Sequence, residues 1–524
     1  MDDLAYLPAN KLANLLLNGT TTSVELVELF ISRILKYDTQ INSVIIKTFD
    51  SARKQAAERD HQISKGIILG PLHGVPITVK ENNDVEGLPS TLGNPQRAEH
   101  IATKTSPPVQ KLLDAGAILL GKTNCPLDLN DVQTYNEIYG RTSNPYDLCR
   151  TPGGSSGGSA AALAAGFTSL EFGGDIGGSI RTPAHCCGVF GHKATLGAVP
   201  AIPLDYGPIR SADIVVKGPM ARSAQDLDLA MRLVSHLAGP ERRALTMSLP
   251  ECPYTKLKDF RVAVWGDDEC CPVDSDVQNT IQHVIDVLRK SGCTVVDVNA
   301  RPKLVGGSKN AFNIYKKLLA AEENQQLMSN KEKERMFKEY ESRWKSENDL
   351  SASVSLQEKL EKQYEWITQS KQSWQETDKM RQQMRIAWED FFSEFDVLIC
   401  PICASVAWSH DEETVTDQPF WKVGNRIIRG ANGHSTLYHD QVFWSGLTNV
   451  CGNPSTVFPA GHAISTEGLS SSSGMGMPIG LQIMGKEWSD LTTIGFAKAL
   501  EIEGGFCFQR PIEFVDNSKE TSSL

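Results

Sequence analysis

Two segments crowded with glycine and serine carry side chains that can do chemistry. The first is Thr151-Pro-Gly-Gly-Ser-Ser-Gly-Gly-Ser159, which runs into a helix-forming Ala/Leu stretch ending at Gly166. The second is Gly173-Gly-Asp-Ile-Gly-Gly-Ser-Ile-Arg-Thr-Pro-Ala184. Small residues let backbone approach a ligand closely. A serine set behind two glycines exposes its hydroxyl, and the neighbouring amide N–H groups can converge on an oxyanion. A flexible linker is the plainer reading of the first segment, but linkers seldom abut a strong helix start and a strand-like run. Ser155 and Ser179 stand 24 residues apart, and Lys80 closes an alternating run of Val75, Ile77 and Val79. One such loop says little. Two of them together with a strand-end lysine are far more specific.

Other motifs fail on their context. Gly154-Ser-Ser-Gly-Gly158 satisfies the GxSxG pattern with Ser156 in the nucleophile position. That elbow needs a strand immediately before it, whereas residues 145–153 hold two prolines and read as loop. Gly116-Ala-Ile-Leu-Leu-Gly-Lys-Thr123 fits the phosphate-loop pattern letter for letter. Its interior is itself strand-like and Pro126 follows, so no backbone is left to wrap phosphate, and Lys122 reads as a strand-end residue. Cys400-Pro-Ile-Cys403 follows a strand rather than opening a helix, which favours core packing over redox chemistry. The vicinal pairs Cys186-Cys187 and Cys270-Cys271 carry no ligand geometry, and the 11 histidines show no metal-binding spacing, so no metal is expected.

The elements that must position these residues alternate in the first half. Residues 23–37 read as a helix capped by Ser23, with Val24, Leu26, Val27, Leu29, Phe30 and Ile34 as its apolar face. Strands are expected at 44–46, 72–80, 117–120 and 168–172, and a helix at 109–115. This alternation predicts an α/β layer architecture. Residues 309–395 are rich in Lys, Glu, Gln and Trp and nearly free of Gly and Pro, so they read as amphipathic helices inserted beside the core. Their apolar positions do not sustain a coiled-coil heptad. Strand patterns return at 397–400, 455–458 and 479–483, which suggests one domain over 1–524 with the insert inside it. Residues 461–476 read as a mobile Ser/Gly-rich loop.

Composition narrows the function classes. The 524 residues are 40% hydrophobic and 22% charged, as in ordinary globular proteins. The 52 Lys and Arg against 63 Asp and Glu give a net charge of −11, which argues against a nucleic-acid binder. No apolar run is long enough for a membrane span, and the N-terminus carries two acids rather than a basic signal region. Twelve cysteines without regular spacing fit a reduced, cytoplasmic protein.

With these residues in hand, the chain resembles the amidase signature enzymes. The segments that carry the resemblance are Gly74-Val-Pro-Ile-Thr-Val-Lys-Glu-Asn82, Gly121-Lys-Thr-Asn-Cys-Pro126, Asn144-Pro145 and the two Gly/Ser segments. Phe395-Asp-Val-Leu-Ile-Cys-Pro401 and Pro478-Ile-Gly-Leu-Gln-Ile-Met-Gly485 fit the closing strands. The resemblance implies a large mixed central sheet flanked by helices on both faces. It also implies a Ser–Ser–Lys triad without cofactor or metal. Ser179 matches the acylated nucleophile, Ser155 the bridging serine that the family holds on a cis peptide, and Lys80 the base. The amides of Ile176, Gly177, Gly178 and Ser179 match the oxyanion hole, and Leu129 falls at a substrate-pocket position. The residue types agree with that chemistry: a serine needs a base to become a nucleophile, and a buried lysine can be neutral enough to serve.

Gly174 departs from the pattern, standing where many members carry Thr or Ser. The charged helices of 309–395 and the acidic balance favour a stand-alone amide hydrolase over the family's amidotransferase subunits. A catalytically silent scaffold is disfavoured by the intact Lys80, Ser155 and Ser179. The expected partner is a small-molecule amide, with no nucleic acid and no membrane anchor. The substrate's identity and the oligomeric state, a homodimer included, stay open.

Overall fold

The computed structural model describes residues 2–200, 213–237, 243–296, 299–327, 370–410, 427–429, 435–464 and 476–511. A small sheet is built from β1 (Val44–Lys47), β2 (Pro76–Lys80) and β3 (Ile118–Thr123), in the order β1-β3-β2. A short hairpin, β4 (Tyr135–Asn136) and β5 (Gly140–Arg141), follows. The large sheet then takes β6 (Leu170–Asp175), β7 (Phe190–Lys193), β8 (Val216–Ala221), β9 (Arg261–Val264), β10 (Thr294–Val296) and β11 (Val397–Pro401). Two strands pair apart from it, β12 (Ile427–Arg429) and β13 (Ser435–Leu437), before β14 (Ser455–His462) and β15 (Pro478–Met484) complete it. Its order is β10-β9-β11-β15-β14-β7-β8-β6. The β10, β9 and β11 strands run parallel and the remaining pairs antiparallel, so the sheet is mixed. Helices flank it, as an α/β layer architecture requires.

The small sheet matters because it meets edge strand β6 of the large one. Ser169 Oγ donates to the Pro76 carbonyl at 2.6 Å, Thr78 Oγ1 to Glu171 Oε1 at 2.5 Å, and Asn83 Nδ2 to the Phe172 carbonyl at 2.7 Å. These buried bonds tie the end of β2, where Lys80 sits, to the strand that leads into the second glycine-rich segment. Burial pushes the Glu171 carboxyl up to about 7, against the hydrogen bonds from Thr78 and Ser159 that pull it down.

Several expectations shift by local chemistry. The first long helix is Ser23–Ile41, and its cap is Thr22 rather than Ser23. Thr22 and Glu25 form a reciprocal capping box that satisfies two orphan amides. Its apolar face holds Leu26, Val27, Phe30 and Ile34 as expected, but Val24 is 40% exposed. The strand expected at 72–80 begins only at Pro76, because Leu72 accepts from Val75 N in a turn. The helix expected at 109–115 is Pro107–Asp114, opened by two prolines whose missing N–H groups would be orphans there anyway. Gly173 to Asp175 are strand rather than loop, since each pairs with β8 at Gly218, Lys217 and Val216.

Of the helical insert, the structure describes Gly307–Leu327 and Lys371–Glu394, which pack on each other and on the helix Phe443–Cys451. Trp388 is buried and stacks on Phe392 at 5.6 Å, so it is a packing anchor. Trp344 and Trp366 lie outside the described residues, as do 465–475 of the expected mobile loop. Residues Gly461 and His462 of that loop belong to β14. No described helix is long and apolar enough to cross a membrane.

Candidate active site

Lys80 ends β2 as a fully buried side chain, and its Nζ donates to Ser155 Oγ at 2.6 Å. The structure therefore brings together two of the three residues singled out for catalysis, 75 positions apart. Burial pushes the Lys80 amine down from 10.5 to about 7. The nearby Lys217 ammonium pushes the same way, while Asp175 and Glu81 push against it. The backbone around Lys80 is braced. The Glu81 carboxylate accepts from the amides of Thr91 and Leu92, and Asn83 N donates back to the Lys80 carbonyl at 2.9 Å. Lys217 Nζ donates to Asn83 Oδ1 at 3.0 Å, and its stem lies 3.4 Å from where a Cβ on Gly174 would stand. The departure at Gly174 is thus matched by a lysine lying over it.

The Ser155 loop is held without a preceding strand. Thr134 Oγ1 donates to the Gly153 carbonyl at 2.9 Å and accepts from Gly157 N at 3.1 Å. The Gly154–Ser155 peptide is cis. Helix Gly157–Ala164 follows, packed on β2, β3 and β6. Ser156 N donates to the Ser179 carbonyl at 3.0 Å, so the two Gly/Ser loops run side by side. Ser156 Oγ is buried and has no hydrogen-bond partner among the described residues. With no strand before it and no base on it, the GxSxG match lacks the elbow it needs.

Ser179 sits in the loop between β6 and helix Arg181–Cys186, and it is 9% exposed. Asp175 and Arg181 bracket that loop and pair in two places, Nε to Oδ2 at 3.0 Å and Nη2 to Oδ1 at 2.9 Å. Both side chains are fully buried. Burial pushes the Asp175 carboxyl up, but Arg181 and the Gly178 amide outweigh it and hold it well below the usual carboxylate range. Arg181 also donates to Thr448 Oγ1, Gln482 Oε1, Asn449 Oδ1 and the Ser445 carbonyl. Each of its donors is thereby used, which a buried charge requires.

The same network sorts the four amides expected to form an oxyanion hole. Gly178 N donates to Asp175 Oδ1 at 2.8 Å, a bond within the loop. The amides of Ile176, Gly177 and Ser179 have no acceptor among the described residues. Leu129 lies on the turn Leu127–Leu129 at φ 64 and is partly exposed. It shares no hydrogen bond with Lys80, Ser155 or Ser179, but the backbone two to four residues on crosses Gly154 closely at Asp131 and Gln133.

The rejected motifs behave as chain-packing features. The phosphate-loop match is β3 itself, with Val79 facing Lys122 across the ladder, and Lys122 Nζ donates to the Pro89 carbonyl. Cys400 and Cys403 are buried, as are Cys186 and Cys187, and all twelve cysteines are free thiols. Among the described residues no cluster of three or more His, Cys, Asp or Glu could hold a metal. The residues missed from sequence are Asp175 and Arg181, visible only as opposite charges flanking a glycine loop, and Lys217, which carries no local signal.

Comparison with known proteins gives the chain's family. The amidase family model matches residues 25–494. An indoleacetamide hydrolase from Bradyrhizobium diazoefficiens is 29% identical over 509 residues, covering 95% of this chain and 87% of that protein. One glutamyl-tRNA(Gln) amidotransferase subunit, from Chloroflexus aggregans, is also 29% identical, covering 98% of this chain and 99% of that protein. Among solved structures, a bacterial aryl acylamidase of the amidase signature family superposes with a TM-score of 0.72 at 24% identity, over 95% of this chain and 96% of that one. That last likeness speaks for the fold alone. The chain belongs to the amidase family, and its fold is the amidase signature fold. It is an enzyme of the amide-hydrolysing class.

Proposed function

We propose that this enzyme cleaves a carboxylic amide through a seryl acyl-enzyme, with Ser179 as nucleophile, Ser155 as proton bridge and Lys80 as base. The observation that carries the reading is the 2.6 Å contact between Lys80 Nζ and Ser155 Oγ at a site where burial brings the amine to about 7. A lysine near 7 is neutral in a large fraction of molecules at neutral pH and can accept a proton, as a general base should. Ser155 passes to Lys80 the proton it takes from Ser179, and Ser179 Oγ adds to the amide carbonyl. The tetrahedral oxyanion is met by the free amides of Ile176, Gly177 and Ser179, donors whose preorganisation is often the largest catalytic contribution. The proton on Lys80 returns through Ser155 to the leaving nitrogen, and amine departs. Water then adds to the acyl carbon and gives its proton to Lys80 by way of Ser155, and that proton returns through Ser155 to Ser179 Oγ as the carbon–Oγ bond breaks and carboxylic acid leaves.

Leu129 belongs to the substrate pocket in this reading, and the chain acts as one domain with 309–395 inserted in it. Relatives of both hydrolase and amidotransferase type match at equal identity. The stand-alone hydrolase is favoured by the acidic balance and by the charged helices Gly307–Leu327 and Lys371–Glu394. The test is the purified single chain against a panel of simple amides, including indole-3-acetamide and aryl acetamides, with acid and amine quantified. Turnover that is lost in Ser179→Ala supports the hydrolase. A folded chain that turns over none of them, and gains activity only with partner proteins, supports the amidotransferase reading.

A further inference from the structure

Three strands meet at Asn83, which closes the turn after Lys80. From β2, the Lys80 carbonyl accepts from Asn83 N at 2.9 Å and again from Asn83 Nδ2 at 3.3 Å. From β6, the Phe172 carbonyl accepts from the same Nδ2 at 2.7 Å. From β8, Lys217 Nζ donates to Asn83 Oδ1 at 3.0 Å. The last bond decides the other two. An ammonium has donors only, so it takes the oxygen of the amide and leaves the nitrogen to the two carbonyls. Lys217 is placed for this by register, since it stands opposite Gly174 in the β6–β8 ladder. Its Cδ is 3.4 Å from where a Cβ on Gly174 would stand, so the glycine leaves the stem a path across β6.

Among the described residues the Lys217 ammonium has no ion pair, and Asn83 is its one hydrogen-bond partner. Burial pushes its amine down to about 8, with Asp84 pulling against that, so at neutral pH it is still mostly charged. Keeping a cation largely out of water on one neutral acceptor costs stability that an aliphatic side chain would not. What the charge faces is the base. Asp175 from β6 and Glu81 beside it in the chain favour the ammonium form of Lys80, and Lys217 opposes them. The Cys125 thiol beyond β3 also faces Lys80, and burial keeps it protonated. The other charges on the elements around β2 are turned elsewhere. Glu171 of β6 accepts from Thr78, Lys122 of β3 donates to the Pro89 carbonyl, and Asp38 of helix Ser23–Ile41 accepts from Ser43. Helix Gly157–Ala164 carries no charge.

We propose that Lys217 is a positioning residue for the base, holding the Lys80 carbonyl through Asn83 and setting a positive charge against the Lys80 amine. The inference rests on the seryl acyl-enzyme reading, in which Lys80 must be neutral to take a proton. Lys217 bonds to neither Ser155 nor Ser179, so it acts through Lys80 alone. A nearby cation disfavours the protonated form, so without Lys217 the Lys80 amine keeps its proton to higher pH.

The test uses the full-length enzyme and a fluorophosphonate probe, with the labelled peptide mapped and the labelling rate followed across the neutral pH range. Lys217→Met keeps the stem and removes both the bond and the charge, and Lys217→Arg keeps the charge and a donor. In Lys217→Met, labelling at neutral pH should slow by about tenfold, the scale of a small misplacement of catalytic groups. Its pH midpoint should rise by about half a unit, while the thermal midpoint holds or rises. In Lys217→Arg the pH midpoint should return to that of the wild type. A wild-type pH midpoint in Lys217→Met, a raised one in Lys217→Arg, or a slowing that tracks a fall in thermal midpoint would overturn the proposal. Label in the wild-type enzyme on a residue other than Ser179, or on Ser179 at an undiminished rate in Lys80→Ala, would instead overturn the acyl-enzyme reading, and this inference with it.

Discussion

At the scale of single residues, the site turns on a lysine that the fold keeps out of water. Below about 7 the buried Lys80 amine is charged and cannot take a proton, and above it the amine is free. The rate at limiting substrate should therefore rise with pH to a plateau, with a midpoint near 7, and a pH profile of kcat/KM checks it. The same burial costs stability, and the sign follows from linkage. Unfolded, Lys80 binds its proton below about 10.5, and folded only below about 7, so stability falls as pH drops through that window and is lowest below it. Lys80→Met removes the loss. At roughly 1.4 kcal/mol per unit of separation, the variant should be more stable than wild type by several kcal/mol below pH 7, while inactive. Denaturant melts at pH 6.5 and pH 10 measure it, and an equal gain at both would contradict the account. Lys80, Ser155 and Ser179 stand out in the sequence as candidates because a strand end and two glycine loops announce themselves locally. The bond from the Gly178 amide to Asp175 was not legible, since a list of motif residues does not contain such a contact.

At the scale of elements, β2, β6 and the helix Gly157–Ala164 do the positioning, and the pair Asp175 and Arg181 locks the loop that follows β6. Removing one partner of a buried pair leaves the other charge uncompensated. Arg181→Met should cost about 3–5 kcal/mol of stability and should slow labelling of Ser179 even where the protein stays folded. Chemical denaturation and labelling on the same sample test both parts. Strand existence was readable from alternation, as at 44–46 and 479–483. Boundaries were not, and each miss has a local cause. A capping box moved the first helix start to Thr22, a hydrogen-bonded turn delayed β2 to Pro76, and pairing with β8 drew Gly173 and Gly174 into a strand despite their small side chains.

At the scale of the whole molecule, the candidate catalytic groups come from positions 80, 155 and 179, yet the elements that back their loops reach to Gln482. Of those long-range partners, Ser445, Thr448 and Asn449 had no signal in the sequence and Gln482 showed only as part of a closing strand, because nothing local marks a helix or strand as the backing of a distant loop. The central claim is that Ser179 is a nucleophile activated through Ser155 by Lys80. Fluorophosphonate labelling of the purified chain with peptide mapping, run beside Lys80→Ala and Ser155→Ala, tests it most directly. A single adduct on Ser179 is expected, its formation slowed by at least about a hundredfold in either variant. An adduct on Ser156, or one on Ser179 that forms at the same rate without Lys80, would contradict it.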